Sequence, residues 1–336
     1  MRPFDFARPG SIAEAVALLE TPGTSGPNGT RPLAGGTDLL TLMKADLYTP
    51  ERLIDIKRLT ELDNRIEEGP DGLSIGALTT LAQLEEDPRV RVNSPALAEA
   101  AALAATPQLR NMATIGGNLL QRPRCWYYRN PRISCWLKGG DDCPARPGEN
   151  QLHALFDVSP CVAVHPSDPA TALVALDASV QLRGVQGERN LPLNEFFAAP
   201  TGARRTENVI RDDELIVSLH IPATSGGRST YLKAMDRKVW AFALVSVAAV
   251  VRMDGTRIAD SRIVLGGVAP VPWRAAAAER ILSGAELSEE LIALAAEAAL
   301  DGAQPLTHNG YKIPLTTALV RRALRSVMGD GSLRSR

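Results

Sequence analysis

The sequence has almost no net charge, because its 37 Lys and Arg residues nearly balance 38 Asp and Glu residues. It therefore has no general electrostatic attraction for nucleic acid or for an anionic membrane. No uninterrupted apolar run is long enough to cross a bilayer, and the opening "MRPFDFARPGSIAEAV" lacks the apolar core of a signal peptide. We expect a water-soluble, cytoplasmic protein, unless a partner carries the chain elsewhere.

Cysteine and aromatic residues are also scarce, with four cysteines and 4% aromatics among 336 residues. The four cysteines nevertheless all lie in one short stretch, with the spacing C-x9-C-x7-C-x17-C from Cys125 through Cys135 and Cys143 to Cys161. The segment "RCWYYRNPRISCWLKGGDDC" holds three of them and two of the four tryptophans. Chance scatter accounts poorly for this clustering, so we expect a specialised local environment here.

Three kinds of site compete for these cysteines. Disulfides need an oxidising compartment, and a chain this long has enough core without them. Four-thiolate zinc usually shows paired C-x2-4-C knuckles, which are absent. An iron–sulfur cluster also takes four thiolates and accepts wider spacing. Six basic residues between Gln121 and Arg146, together with four nearby aromatics, favour the cluster over zinc, because positive charge stabilises thiolates and aromatics exclude water.

The order of predicted elements suggests three segments. Residues 1–57 read as a strand, a helix capped by Ser11, a second helix and a strand, a βαβ-like unit. Residues 58–224 mix strands with an Ala-rich buried helix. Residues 225–330 read as three strands followed by three helices, which is typical of a separate α+β domain.

Two glycine turns, "LAGGTDL" and "TIGGNLL", each precede Leu-rich sequence. Glycines leave backbone N–H groups uncovered, and such a turn at a helix start can bind phosphate. Thr37 and Asn118 would add side-chain hydrogen bonds. Each pair by itself is more simply a tight turn, and neither matches the GxGxxG dinucleotide fingerprint. Two such turns in one part of the chain favour a cleft that binds a pyrophosphate.

Asp168 and Lys233 have simpler structural interpretations beside functional ones. In "HPSDPATALVAL", Ser or Asp would cap a helix that has Pro169 at its first position. Lys233, in the predicted strand "YLKAM", is either an exposed charge or a donor to a ligand carbonyl. From the residues alone, we interpret both as structural.

Taken together, the chain resembles the FAD-binding (medium) subunits of the xanthine dehydrogenase and aldehyde oxidoreductase family of molybdenum hydroxylases. The resemblance covers nearly the whole length, through "FDFARPGSIAEAVALL", "LAGGTDLLTLMK", "TPQLRNMATIGGNLLQ", "HPSDPATALVALDA", "YLKAMDRKVWAFALVSVAA" and "GYKIPLTTALVRRAL". It is strongest to the flavin and 4Fe-4S subunit of periplasmic aldehyde oxidoreductase, which has a cysteine-bearing insert after its second glycine turn. 4-Hydroxybenzoyl-CoA reductase has a comparable cluster, so the insert does not fix the substrate.

The resemblance implies a role for each matching position. The pyrophosphate would be wrapped by Pro32, Leu33, Ala34, Gly35, Gly36, Thr37, Asp38 and Leu39, and the second flavin-binding turn would comprise Thr114, Ile115, Gly116, Gly117 and Asn118. Asp168 would face the ribityl or adenosine side, Leu215 and Lys233 the isoalloxazine ring, and Ala104 a helix beside the flavin. Cys125, Cys135, Cys143 and Cys161 would bind a 4Fe-4S cluster, in an insert at about residues 121–161. Ala241 is a departure, because many relatives have an acidic residue there.

The implied fold is a two-subdomain FAD-binding domain of the vanillyl-alcohol oxidase (PCMH) type, followed by a C-terminal α+β domain of the CO dehydrogenase flavoprotein type. The implied function is electron transfer in a heterotrimer, from 2Fe-2S centres on a small subunit through this chain to an external acceptor. A molybdenum cofactor on a large subunit would oxidise the substrate, an aldehyde or a heterocycle. The complex would be periplasmic only if a signal on the small subunit exported it. The alternatives are a stand-alone FAD-dependent oxidase with structural zinc and a zinc-stabilised scaffold.

Overall fold

Three separate sheets organise the chain, which a computed structural model describes over residues 1–19, 26–223, 227–239, 241–286 and 288–328. The first sheet is parallel, the second and third are antiparallel, and each belongs to one of the three segments expected from the sequence. The predicted boundary between residues 224 and 225 lies outside the described residues and stays a prediction.

The first segment is the expected βαβ-like unit. Its elements are β1 (Asp5–Ala7), α1 (Ile12–Leu19), β2 (Thr30–Leu33), α2 (Leu39–Lys44) and β3 (Arg52–Asp55). The three strands run parallel in the order β1-β3-β2. Ser11 caps α1 as expected, because its Oγ accepts a hydrogen bond from the Glu14 N–H at 3.2 Å. The Glu14 carboxylate closes the same turn by accepting from Gly10 N–H at 2.7 Å.

The second segment combines a five-stranded antiparallel sheet with short helices. Before the insert it has β4 (Ile66–Gly69), β5 (Gly72–Gly76), α3 (Leu81–Glu86), α4 (Pro88–Asn93), α5 (Pro95–Leu103), α6 (Pro107–Arg110) and α7 (Ile115–Leu119). The strand order is β4-β5-β8-β6-β7, in which β6 (Ser179–Gly184), β7 (Gly187–Pro192) and β8 (Leu215–Pro222) follow the insert in sequence. The Ala-rich helix α5 is buried, as its composition predicts.

The cysteine insert contains little regular structure. It has one helical turn, α8 (Trp126–Arg129), and a 3-10 turn at Trp136–Lys138. After it come α9 (Asp168–Ala175), β6 (Ser179–Gly184), β7 (Gly187–Pro192), α10 (Leu193–Phe196) and β8 (Leu215–Pro222). The apolar run "CVAV", residues 161–164, forms no strand. This segment instead makes isolated backbone contacts, such as His165 N–H to the Ala269 carbonyl at 2.9 Å.

The C-terminal domain is an antiparallel sheet with helices on one side. It comprises β9 (Gly227–Ala234), β10 (Val245–Asp254), β11 (Arg257–Gly266), β12 (Trp273–Arg274), α11 (Ala276–Leu282), α12 (Glu289–Ala298) and α13 (Lys312–Met328). The expected three strands are present, and β12 adds a fourth. This strand has only two residues, which is too short for a recognisable sequence pattern. Throughout the described ranges, no helix is both long and apolar enough to cross a membrane.

Strand β10 explains why its sequence is apolar without alternation. Ala248 and Val250 face the core of the first two segments, whereas Val247, Ala249 and Val251 pack with the helices of the C-terminal domain. A strand that is buried on both faces needs apolar residues at successive positions. The sheet therefore serves as a wall shared by two cores, which fixes the C-terminal domain against α5 and α9.

Replacing Phe196 by Ala should lower the free energy of unfolding by about 3–5 kcal/mol, because its fully buried ring fills the larger core against Phe197. Denaturant-induced unfolding would measure the change. The matched control is Val92→Ala, since Val92 is 77% exposed and its truncation should change stability by less than about 0.5 kcal/mol. Equal losses in the two variants would contradict this packing.

Candidate functional site

The two glycine turns line one large cavity of about 850 Å³. Its wall includes Pro32 through Leu39 from the first turn and, from the second, Thr114 and residues 116–118. Leu215, at the start of β8, lines it as well. The sequence thus correctly predicted that the turns meet, and the volume lies within the range of ligand-binding cavities.

Close backbone approach explains the glycines of the first turn. A Cβ atom on Gly35 would lie 1.8 Å from the carbonyl oxygen of Met112, which lies two residues before the second turn begins at Thr114. Gly36 has a φ of +70°, in the left-handed region that favours glycine. Gly116 packs against Ala77, whose carbonyl oxygen would be 3.1 Å from an added Cβ. The two turns therefore touch each other, and larger side chains would separate them.

The Asp38 carboxylate ties the first turn to the cysteine insert. It pairs with the Arg124 guanidinium and, at 2.9 Å, with Arg129 Nη2, and it accepts from the Arg122 N–H at 2.8 Å. Burial alone would raise the pKa of Asp38, but the two guanidinium groups outweigh burial and hold the pKa below its ordinary value. Asp38 is therefore a charged anchor that joins two segments far apart in sequence.

A basic wall faces the same cavity. Its cationic lining residues are Arg31, Arg122, Arg124, Lys138 and Arg205. The Arg31 guanidinium lies 5.3 Å from the centre of the Tyr48 ring, and its buried Nε has no hydrogen-bond partner among the described residues. A buried donor of this kind is normally satisfied. These guanidinium groups and the uncovered N–H groups of the turns suit an elongated ligand with a diphosphate.

A second cavity of about 310 Å³ adjoins the first. Arg124 lines both cavities, and Ser167 Oγ in the second contacts Asn118 Oδ1 in the first at 2.5 Å. The second cavity lies between the insert and the C-terminal domain, with Trp126 on one side and Gly267 on the other. Two adjoining cavities with a common lining residue suit a long ligand with a ring at its end.

Asp168 lines the second cavity, but its carboxylate is already engaged. Its two oxygens accept from Tyr231 OH at 2.5 Å and from Lys233 Nζ at 2.7 Å, and Lys233 also donates to the Leu103 carbonyl at 3.0 Å. Burial raises the pKa of Asp168 despite the neighbouring ammonium group. Ser167 is the residue that caps α9, so Asp168 and Pro169 are its first two residues.

Three of the predicted flavin contacts lie behind the cavity walls. Lys233 is fully buried and lines neither cavity, and its predicted contact with the isoalloxazine ring stays a prediction. Ala104 ends α5 one residue after the carbonyl that Lys233 binds, and it too lines neither cavity. Ile115 is fully buried at the start of α7.

All four cysteines are free and lie close together around the insert. Cys143 accepts a hydrogen bond from the Cys161 thiol, which lowers the pKa of Cys143 to about 6 and raises the pKa of Cys161. Burial raises the pKa of Cys125 to about 11, and the like charges of Cys135 and Cys143 add to this increase. Burial and the charge of Cys143 also raise the pKa of Cys135. Cys135 lines the first cavity and Cys125 the second.

The surroundings of the cysteines match the sequence prediction only in part. Tyr128 and Trp136 pack with Cys135 and Cys161, so aromatics do shield the group. Of the six basic residues expected to stabilise the thiolates, Arg124 and Arg129 instead pair with Asp38, and the Arg122 guanidinium lies 3.4 Å from the Glu207 carboxylate. Within the described part of the chain, no three His, Cys, Asp or Glu side chains are arranged to hold one metal ion.

Several lining residues were not identified from the sequence. His153 Nε2 lies 3.2 Å from Cys125 Sγ, and His165 is buried with its Nε2 unpaired among the described residues. Phe242 contacts the Arg124 guanidinium at 5.0 Å and, with Ala241, lines the second cavity from the C-terminal domain. Scattered histidines and a loop between two strands have no sequence pattern that would reveal this placement.

Comparison with known proteins decides the family. Residues 2–224 match the model of the FAD binding domain in molybdopterin dehydrogenase, and residues 230–327 match the CO dehydrogenase flavoprotein C-terminal domain. The chain belongs to the FAD-binding subunits of the molybdenum hydroxylase family. The resemblance drawn from the motifs is thereby confirmed, together with the two-part fold and FAD as the cofactor.

Similarity to individual members of this family extends over the full chain. The aldehyde oxidoreductase FAD-binding subunit PaoB of Escherichia coli is 38% identical, with 98% of each chain covered. The carbon monoxide dehydrogenase medium chain of Hydrogenophaga pseudoflava is 31% identical, with 96% of each chain covered. A solved structure of carbon monoxide dehydrogenase from that organism superposes with a TM-score of 0.77 at 30% identity, covering 98% of this chain and 99% of the other.

Replacing Gly35 by Ala should weaken FAD binding about tenfold or more, because the added methyl group forces the two turns apart at Met112. Fluorescence titration of deflavinated protein would measure the affinity. Gly202→Ala is the matched control, since a Cβ there meets nothing within 4 Å. Unchanged affinity in the Gly35 variant would show that the turns do not form the FAD site.

Replacing Asp38 by Asn should lower the free energy of unfolding by about 3 kcal/mol at neutral pH, because two guanidinium groups lose their buried partner. Since the folded-state pKa of Asp38 lies below 3.8, its contribution is present above that pH and disappears as the pH falls through the folded-state pKa. Unfolding curves of both proteins should therefore converge in acid. Asp71→Asn, at an exposed turn, should show no such convergence.

Proposed function

We propose that this chain is the FAD- and 4Fe-4S-carrying electron-transfer subunit of a heterotrimeric molybdenum hydroxylase that oxidises aldehydes to carboxylic acids. The observation that carries the proposal is that thiols of the cysteine group border both connected cavities, Cys135 the first and Cys125 the second. A cluster bound by these thiols would lie beside the flavin without an intervening domain.

The chain's own residues hold the flavin rather than react with substrate. The N–H groups of the two glycine turns and the Arg31 guanidinium would bind the diphosphate of FAD, and Arg124 would lie where the ligand passes from one cavity to the other. When bound, FAD supplies a ring that takes electrons singly and releases them singly or in pairs. The second cavity is lined by Trp126 on the insert side and by Gly266 and Gly267, at the end of β11, on the side of the C-terminal domain.

The four cysteines offer a chemically suitable set of ligands for a cluster. They are free and three are buried, and the hydrogen bond from the Cys161 thiol lowers the pKa of Cys143 to about 6, which favours a thiolate there. Lys138 lies near Cys135 and Arg146 near Cys143, where their charges favour thiolates. A cubane cluster binds each thiolate through a different iron, so its ligands are spread more widely than those of one ion.

The substrate class follows from the relatives and not from this chain's cavities. PaoB, at 38% identity, is named as an aldehyde oxidoreductase subunit, whereas other full-length relatives are carbon monoxide dehydrogenase chains. Because those relatives are FAD-binding subunits or medium chains, we propose a large molybdopterin-binding subunit and a small 2Fe-2S subunit as partners. Aldehyde oxidation by the purified chain alone would contradict its role as a subunit.

Anaerobically purified protein should show flavin absorption, a broad iron–sulfur absorption that bleaches on reduction, and matching iron and sulfide. Replacing Cys135 or Cys143 by Ser should remove iron and the broad absorption while flavin remains. Val158→Ala, an exposed position between the last two cysteines, is the control and should keep both. Zinc without iron would contradict the cluster and favour a stand-alone flavoprotein with structural zinc.

A further inference from the structure

Lys312, the first residue of α13, is a fully buried lysine. Its Nζ donates to the carbonyl oxygens of Gly267 at 2.7 Å and His153 at 2.9 Å, and no carboxylate pairs with it in the described ranges. Burial lowers the pKa of Lys312 to about 7, because an ammonium group without a counter-charge is costly in the interior. Such a residue stabilises the folded state poorly unless a negative charge comes near it.

The two carbonyl groups place this ammonium directly behind the second cavity. His153 and Gly267 both line that cavity, on the insert side and on the C-terminal side respectively. A ligand ring in the second cavity would therefore lie next to an unneutralised positive charge.

Holding the insert in place does not require this charge. Asn309 Nδ2 donates to the same His153 carbonyl at 3.2 Å and to the Ala154 carbonyl at 2.8 Å. Asn150 Oδ1 accepts from the His308 N–H at 2.9 Å, and Tyr311 OH donates to the Gln151 carbonyl at 3.0 Å. Neutral groups thus already join the start of α13 to the insert. What Lys312 adds to these contacts is a positive charge.

We propose that Lys312 is the internal counter-charge of the reduced flavin ring in the second cavity and raises its reduction potential. The proposal rests on the proposed function, in which the flavin receives electrons from iron–sulfur centres, and it places the isoalloxazine end of FAD in the second cavity. Of the two residues that the resemblance puts beside that ring, Lys233 binds Asp168 in the wall of the second cavity, whereas Leu215 lines the first. The oxidised ring takes up two electrons, delivered singly by those centres, and one proton from solvent, and becomes an anion. A nearby positive charge stabilises that anion more than the neutral oxidised ring. Lys312 is in this sense a positioning and electrostatic residue, not a catalytic one.

The test is a spectroelectrochemical titration of the full chain loaded with FAD. Lys312→Gln and Lys312→Met remove the charge and should lower the midpoint potential of the flavin, whereas Lys312→Arg keeps it and should stay near the wild-type value. Asn309→Ala is the matched control, because it removes a contact to the same carbonyl without changing charge. It should destabilise the fold and leave the potential nearly unchanged.

Three results would overturn the role of Lys312. These are an unchanged flavin potential in folded Lys312→Gln protein, an equal shift in Asn309→Ala, and a shift confined to the iron–sulfur potential. A wild-type protein that binds no flavin would instead contradict the proposed function itself. If the neutral variants do not fold, NMR of wild-type protein with ¹³C-labelled lysine decides: Lys312 should be more fully protonated when the flavin is reduced, and equal protonation in both states would contradict the proposal.

Discussion

The carboxylate of Asp38 is the contact on which the site depends. It follows the two glycines of the first turn, and it binds two arginines and a backbone N–H group of the insert that begins after the second turn. Because Arg124 lines both cavities, this one ion pair also sets where they join. Its charges are partly buried, so each partner is costly without the other. The insert and the flavin-binding turn are therefore positioned as one unit.

The C-terminal domain completes the site by closing the second cavity. Strand β10 is buried on both faces, which fixes its sheet against α5 and α9, while Asn309 and Lys312 at the start of α13 bind the backbone of the insert. The cavity wall is thus assembled from three regions that are separate in the chain. This explains how a loop-rich insert with one helical turn can have buried cysteines: neighbouring domains supply the packing that it lacks.

Buried charge is distributed unevenly around the two cavities. In the second cavity's wall the carboxylate of Asp168 is paired with Lys233, and in the first the Asp38 carboxylate is paired with arginines. Lys312 has only carbonyl partners among the described residues. Interior charges are usually paired because desolvation is costly. Lys312 is fully buried as well, so a negative charge close to it would lower the cost of its burial.

The sequence by itself determined the elements and the chemistry of their parts. Local rules sufficed for the capped helix after Ser11, the two glycine turns, the apolar strand β10 and the clustered cysteines, because each depends on neighbours in the chain. Tertiary structure alone decided that Arg124 and Arg129 of the insert pair with Asp38, that Asp168 binds Lys233, and that Lys312 lies behind the second cavity. These pairings join residues up to 159 positions apart, and which partner a long side chain reaches is fixed only when the domains pack.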